Sequence, residues 1–156
     1  MVKHNSSSRF SFIKTQVFLT QTDTTVGFLS QDATQLQYIK SRSSSKPFIK
    51  VFATFKDFQK NNRIPKRYKS RVRRSKKTTF IVKNQAFRVV PYPLSVNFMQ
   101  KIPWFFSTSA NERGKHFDRR FCEAYSDIII EDKNSLKEGK ASQLYKLNNT
   151  TKKRLR

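Results

Sequence analysis

At 156 residues the chain fits one compact domain with a core of its own. Its 33 Lys and Arg against 10 Asp and Glu leave a formal net charge of +23, so anionic partners are expected: phosphates, or nucleic acid through salt-sensitive contacts, with a merely solvated lysine-rich surface as the plainer alternative. The lone Cys122 excludes an internal disulfide and a cysteine-built zinc site, and no run approaches the roughly 20 apolar residues of a membrane span.

The opening MVKHNSSSRFSFIK is basic, Ser-rich and acid-free before Asp23, and it lacks the apolar core of a secretory signal. Residues 1–15 read as a flexible arm, a transit peptide being the lesser alternative, and the single cysteine fits a reduced, cytoplasmic compartment. Residues 16–20 (QVFLT) read as a buried strand that opens the domain. The TQTDTTVGF that follows has the composition of a loop rich in hydroxyls. Residues 32–40 can form a helix with Leu36 and Ile39 on one face and Ser30 or Asp32 as its cap. Pro47 then opens a second strand, PFIKVFA, and a short helix over 54–61 follows.

Residues 62–77 carry no acid and almost no apolar periodicity. Arg63, Lys66, Arg67, Lys69, Arg71, Arg73 and Arg74 read as an RNA-facing stripe or a mobile basic loop. Segments 78–82 and 86–90, rich in β-branched and aromatic residues and separated by KNQ, are expected to pair as a hairpin. Further on the pattern predicts a helix over 93–100, a strand over 104–108, a helix over 117–125, a buried strand over 127–131 with three consecutive Ile, and a weak strand over 142–147. Residues 148–156 read as a basic tail. Strands alternating with short helices make residues 16–147 an α/β domain with a mixed, twisted sheet.

No Walker loop, GxGxxG or HExxH pattern occurs, and His4 and His116 read as surface residues. Three constellations remain. Thr22-Asp23-Thr24-Thr25-Val26-Gly27 follows a buried strand, where α/β proteins place their sites; clustered hydroxyls suit an amino acid's ammonium and carboxylate, and Gly27 allows close approach, although a plain polar turn explains the spacing equally. Lys40, Arg42 and Lys46 put three cations in seven residues, suited to a triphosphate; the helix dipole alone would account for Lys40 and Arg42 but not for Lys46. Ser107-Thr108-Ser109-Ala110-Asn111 leaves a strand end with four polar side chains, suited to a ribose or phosphate, or to capping a helix.

Taken together and in order, the segments QTDTTVGF (21–28), KSRSSSKPF (40–48) and STSAN (107–111) resemble the motifs of the YrdC-type family of threonylcarbamoyl-adenylate synthases. The FRVVP of 87–91 and the KASQLYKL of 140–147 resemble two further segments of that family, so the resemblance spans about residues 16–147. Gln21 stands where the family has Pro, Val26 where it has Tyr, and residues 75–78 where it has WPGP.

The resemblance implies a single open α/β domain with flanking short helices and a concave basic cavity. It implies a nucleotidyltransferase that makes threonylcarbamoyl-AMP and pyrophosphate from ATP, L-threonine and bicarbonate, with Mg2+ accompanying ATP, and that supplies tRNA threonylcarbamoyl-transfer proteins. Lys40, Arg42 and Lys46 would act electrostatically, with no covalent nucleophile. Lys40, Arg42, Thr79, Ser107, Ser109, Asn111 and Ser142 would contact ATP, and Thr22, Thr24, Lys46 and Arg88 threonine, with Arg154 or Arg156 as a lesser candidate to close over the nucleotide. The departures at 21, 26 and 75–78 leave a second reading: a non-catalytic relative that binds double-stranded RNA, tRNA or a ribosome through the basic stripe.

Overall fold

The short apolar runs and their caps resolve, in a computed structural model describing residues 6–41, 47–90 and 102–156, into strands and short helices. In chain order these are α1 (Ser6–Thr15), β1 (Phe18–Gln21), β2 (Val26–Ser30), α2 (Ala33–Ile39), β3 (Ile49–Phe52), α3 (Phe55–Asn61), a 3-10 turn (Lys66–Tyr68), α4 (Lys69–Arg74), β4 (Thr78–Val82), β5 (Gln85–Val89), β6 (Trp104–Ser109), α5 (Arg119–Ala124), β7 (Ile128–Ile130), β8 (Gln143–Leu147) and β9 (Lys152–Arg154). The described strands form one sheet ordered β7-β1-β2-β6-β3-β5-β4-β8-β9. The pairs β1/β7, β3/β5 and β4/β8 are parallel and the rest antiparallel, the open mixed sheet expected of an α/β domain.

Side chains alternate across a strand, so each strand assigns its residues to two faces. On β5, Phe87 and Val89 join Phe58, Tyr68 and Val72 in an apolar cluster beneath α3 and α4. On β1 and β2, Leu19, Val26 and Phe28 pack against Leu36 and Ile39 of α2 and Cys122 of α5. Phe106 touches this second cluster and Trp104, two residues away on β6, the first, so both lie on one face, with α2 to α5 above them. Phe18, Leu29, Phe105 and Ile13 of α1 make a third cluster on the opposite face. Arg88, between Phe87 and Val89, is thereby aimed at the α1 side.

The helix entries follow local chemistry. Asp32 accepts the amide of Thr34 at 2.8 Å, Thr54 that of Asp57 at 3.0 Å, and Asp118 that of Phe121 at 3.2 Å, each satisfying a donor at a helix start. Five segments differ from their sequence patterns. Within the stretch read as a flexible arm, Ser6–Thr15 form α1, whose Ile13 packs against the sheet. In the segment read as a continuous loop only residues 22–25 are a turn; Val26–Ser30 is a fully buried strand, because Phe28 and Leu29 enter cores on opposite faces and leave no polar alternation. The basic stripe is not a loop: Tyr68 and Val72, four apart and 8% and 1% exposed, pin the 3-10 turn and α4 to the sheet. The Ile-rich strand β7 lies at the sheet edge against β1 alone, so it is not buried, and Ile129 is 43% exposed. Within residues 148–156, Lys152–Arg154 add an outer strand to β8. The helix expected over 93–100 lies outside the described residues.

Cys122 sits fully buried on the sheet-facing side of α5, and burial pushes its thiol up to about 11. Since the thiolate is the nucleophile, iodoacetamide at pH 8 is expected to leave the folded protein unmodified and to alkylate it fully once urea unfolds the chain. Rapid modification of the native protein would contradict this placement.

Candidate functional site

The α1 side of the sheet carries a cavity of about 250 Å³. Its wall draws on the β1–β2 turn (Thr22, Thr24, Thr25), on Gly27, on Arg88 of β5, on Ser107 and Ser109 of β6, and on Ser142 and Arg156 near the end of the chain. Pro47 and Ile49 add an apolar side. No acidic residue is among the described lining residues, so the cavity is concave and basic.

The turn is held from within. Thr22 Oγ1 donates to the Thr25 carbonyl at 2.7 Å and accepts from the amides of Thr24 and Thr25, both at 3.3 Å. Residues 137–139 hold it from outside: the Lys137 amide donates to Gln21 Oε1 at 2.8 Å, Val26 N donates to the Lys137 carbonyl at 3.0 Å, and Gly139 N donates to Thr25 Oγ1 at 3.0 Å. Gln21, where the resembled family has Pro, is thus a working hydrogen-bond partner. Val26 turns into the α2 side of the sheet, away from the cavity. Gly27 makes a close approach, since a Cβ there would stand 3.1 Å from both the Thr108 carbonyl and Thr22 Cγ2, tighter than an ordinary contact.

Arg88 is the deepest cation of the cavity, 4% exposed. Its Nη1 donates to Thr24 Oγ1 at 3.0 Å, and its Nε lies 3.5 Å from Asp23 Oδ1. That approach counts as an ion pair but is too long or bent for a hydrogen bond, and Arg88 Nε and both Asp23 oxygens have no hydrogen-bond partner among the described residues. Burial lowers the Arg88 pKa and the neighbouring Asp23 charge opposes that shift; a guanidinium remains charged in this setting. Leaving buried polar atoms unpaired costs about 1–3 kcal/mol each.

The STSAN segment is fastened by Lys40, at the end of α2. Its Nζ donates to the Ser109 carbonyl at 3.1 Å, the Asn111 carbonyl at 2.5 Å and Asn111 Oδ1 at 2.7 Å. Ser109 Oγ also donates to Asn111 Oδ1 at 2.7 Å, and Asn111 Nδ2 donates to the Lys115 carbonyl. Lys40 and Asn111 therefore stand behind the wall that Ser107 and Ser109 face. Thr79, fully buried, shares a 2.8 Å hydroxyl contact with Ser142 and stands behind it. Arg156 reaches the wall while its Nε donates to the Ser142 carbonyl at 3.1 Å; Arg154 lies outside on β9.

The structure thus gathers Thr22, Thr24, Arg88, Ser107, Ser109 and Ser142 at one cavity, with Lys40, Thr79 and Asn111 as supports. Arg42 and Lys46 lie outside the described residues. The basic residues from Lys66 to Arg74 belong to the 3-10 turn and α4 on the opposite face, and Arg63 lies in the stretch that leads into them. Asp23 and the bracing segment 137–139 carried no site assignment in the sequence; the unusual feature that marks Asp23 is its place between the two threonines.

No family model matches the chain, and no curated protein does. Solved structures match closely in shape. P. abyssi Sua5 complexed with L-threonine aligns with a TM-score of 0.73 at 17% identity, over 96% of this chain and 52% of that one. E. coli YciO aligns at 0.71 and 15% identity, over 96% of this chain and 86% of that one. MTH1692 from Methanobacterium thermoautotrophicum aligns at 0.66 and 18% identity, over 100% of this chain and 89% of that one. The chain spans about half the length of the Sua5 structures. At these identities the likeness is one of fold.

Proposed function

We propose that this YrdC-like domain is an L-threonylcarbamoyladenylate synthase, making threonylcarbamoyl-AMP and pyrophosphate from ATP, L-threonine and bicarbonate for tRNA threonylcarbamoyladenosine modification. One observation carries the reading: the Thr24–Arg88 bridge, Ser107, Ser109 and Ser142, far apart in sequence, meet at one basic cavity. A Sua5 of the same fold is described in complex with L-threonine, which favours threonine as the small ligand.

The chemistry suits groups that position and neutralise rather than attack. The threonine amine adds to bicarbonate and water leaves, giving a carbamate; a carbamate oxygen then attacks the α-phosphate, and the bond to the β,γ-diphosphate breaks to release pyrophosphate. Arg88 would pair the threonine carboxylate, with Thr22 and Thr24 beside it. Ser107, Ser109 and Ser142 would donate to the nucleotide, and Arg42 and Lys46 would neutralise phosphate. No cluster of three or more His, Cys, Asp or Glu suited to a metal occurs among the described residues, and the described lining holds no carboxylate. Mg2+ in this proposal arrives with the ATP phosphates, as hard oxygen-bound Mg2+ commonly does.

The product would pass to tRNA threonylcarbamoyl-transfer proteins in the cytoplasm; no described helix is long and apolar enough to cross a membrane. Isothermal calorimetry tests the threonine site. Wild type is expected to bind L-threonine, and Thr24→Val, which removes the hydroxyl that Arg88 reaches, to bind it at least about tenfold more weakly. A folded wild type that binds duplex RNA without any L-threonine heat would contradict the synthase. It would favour the second reading, a non-catalytic RNA-binding protein, for which the acid-free basic stripe speaks.

A further inference from the structure

The described sheet ends in two outer strands of opposite character. At one end β9 is Lys152-Lys153-Arg154, exposed throughout, and an edge of cations repels a strand from a like-charged molecule. At the other end β7 is Ile128-Ile129-Ile130, paired with β1 on one side and with no strand on its other side among the described residues. It carries neither a charge nor a proline, the usual guards of an edge.

The register fixes what this edge offers. Ile128 N donates to the Val17 carbonyl at 3.2 Å, and bonding residues alternate along a parallel ladder, so Ile128 and Ile130 turn their backbone groups to β1. The N–H and C=O of Ile129 therefore point outward. The side chains divide in the same way: Ile128 and Ile130 pack against the cluster of Phe18, Leu29 and Phe105, while Ile129 is left 43% exposed.

Charge selects the partner. The chain carries +23, yet residues 112–138, which hold α5, β7 and the loops around them, contain seven of its ten acids against six Lys and Arg, a net of −1 that leaves +24 on the rest. Near the strand the charges are matched internally, Arg119 lying 2.7 Å from both Glu123 and Glu131. Two copies of the chain therefore repel each other least where this segment meets itself. A strand of identical sequence also presents the same outward groups. Antiparallel about a twofold axis at Ile129, the two strands exchange N–H···O=C bonds in both directions and bring the two Ile129 side chains together.

We propose that the chain forms a dimer in which β7 of one copy pairs antiparallel with β7 of a second copy about Ile129, joining two sheets into one. The pairing uses up the apolar edge and leaves a cationic β9 at each end, so assembly stops at two. The edge is short, which places the dimer among transient contacts that bury less than about 1,200 Å². The dimer rests on the fold and not on the synthase reading, since neither β7 nor α5 lines the cavity.

Sedimentation velocity over loadings from micromolar to submillimolar provides the test. Wild type is expected to shift from monomer to dimer. Because shared positive charge opposes approach, association is expected to tighten as added salt shortens the screening length from about 10 Å to about 3 Å. Ile129→Lys is expected to weaken association at least about tenfold by setting two cations face to face. Ile129→Pro is expected to weaken it as well while the fold survives, because an edge strand tolerates proline where the missing N–H faces outward. Tyr38→Lys, the same added charge at a more exposed aromatic on α2, is expected to leave association close to that of wild type. Melting temperatures check the fold of each variant, and wild type gives a reading of its own, since exchange of the Ile129 amide is expected to slow as concentration rises. A monomer at every loading, association that weakens with salt, a dimer untouched by Ile129→Lys but lost in Tyr38→Lys, or growth beyond two copies would overturn the proposal.

Discussion

An Arg88→Met protein is expected to unfold about 3–5 kcal/mol more easily than wild type and to lose L-threonine binding. The methionine keeps much of the packing volume, so the loss comes from charge. Asp23 sits beside Arg88 with both carboxylate oxygens buried and without a hydrogen-bond partner among the described residues, and removing the cation leaves that carboxylate uncompensated. Thr24 Oγ1 also loses its 3.0 Å donor. Fold and binding separate in the double variant Asp23→Asn/Arg88→Met, which removes the orphaned charge. Its urea midpoint is expected to recover most of the loss while threonine binding stays absent. Recovery of binding along with stability would mean that Arg88 only props the turn.

Lys40→Met is expected to cost about 3 kcal/mol, a loss set by three hydrogen bonds from a charged donor, and to weaken ATP binding through the loop rather than through a missing phosphate contact. The Lys40 amine holds the Ser109 carbonyl and two oxygens of Asn111 from behind the cavity wall. Its loss therefore frees residues 109–111. Hydrogen exchange distinguishes this from a direct phosphate role: the Ala110 amide, which donates to the Val26 carbonyl at 3.0 Å, is expected to exchange faster in the variant without any nucleotide present. Unchanged exchange with weakened ATP binding would make Lys40 a ligand instead.

Much of the fold was legible because local chemistry and tertiary packing agree. Asp32 caps α2 and Leu36 and Ile39 bury one face of it, as their spacing predicts. The segments 78–82 and 86–90 pair antiparallel around a turn at Lys83 and Asn84, both with positive φ. Elsewhere the local signal was too weak. Strand β2 is buried on both faces, which erases alternation; α4 is anchored by a single apolar pair inside a run of cations; β9 exists only because β8 offers it an edge. In the site, the hydroxyl clusters stand out in sequence, but the division of labour does not. That Lys40 and Thr79 stand behind the wall, and that Asp23 lies against Arg88, depends on which face each strand presents and on how residues 137–139 brace the turn.

The central claim is that the cavity makes threonylcarbamoyl-AMP, and pyrophosphate release measured alongside mass detection of the adenylate tests it most directly. With ATP and Mg2+ present, release is expected only when L-threonine and bicarbonate are both added, with the adenylate formed in equal amount, and both signals are expected to vanish in Ser109→Ala. Release that ignores threonine, or none at all from folded protein, would contradict the synthase reading.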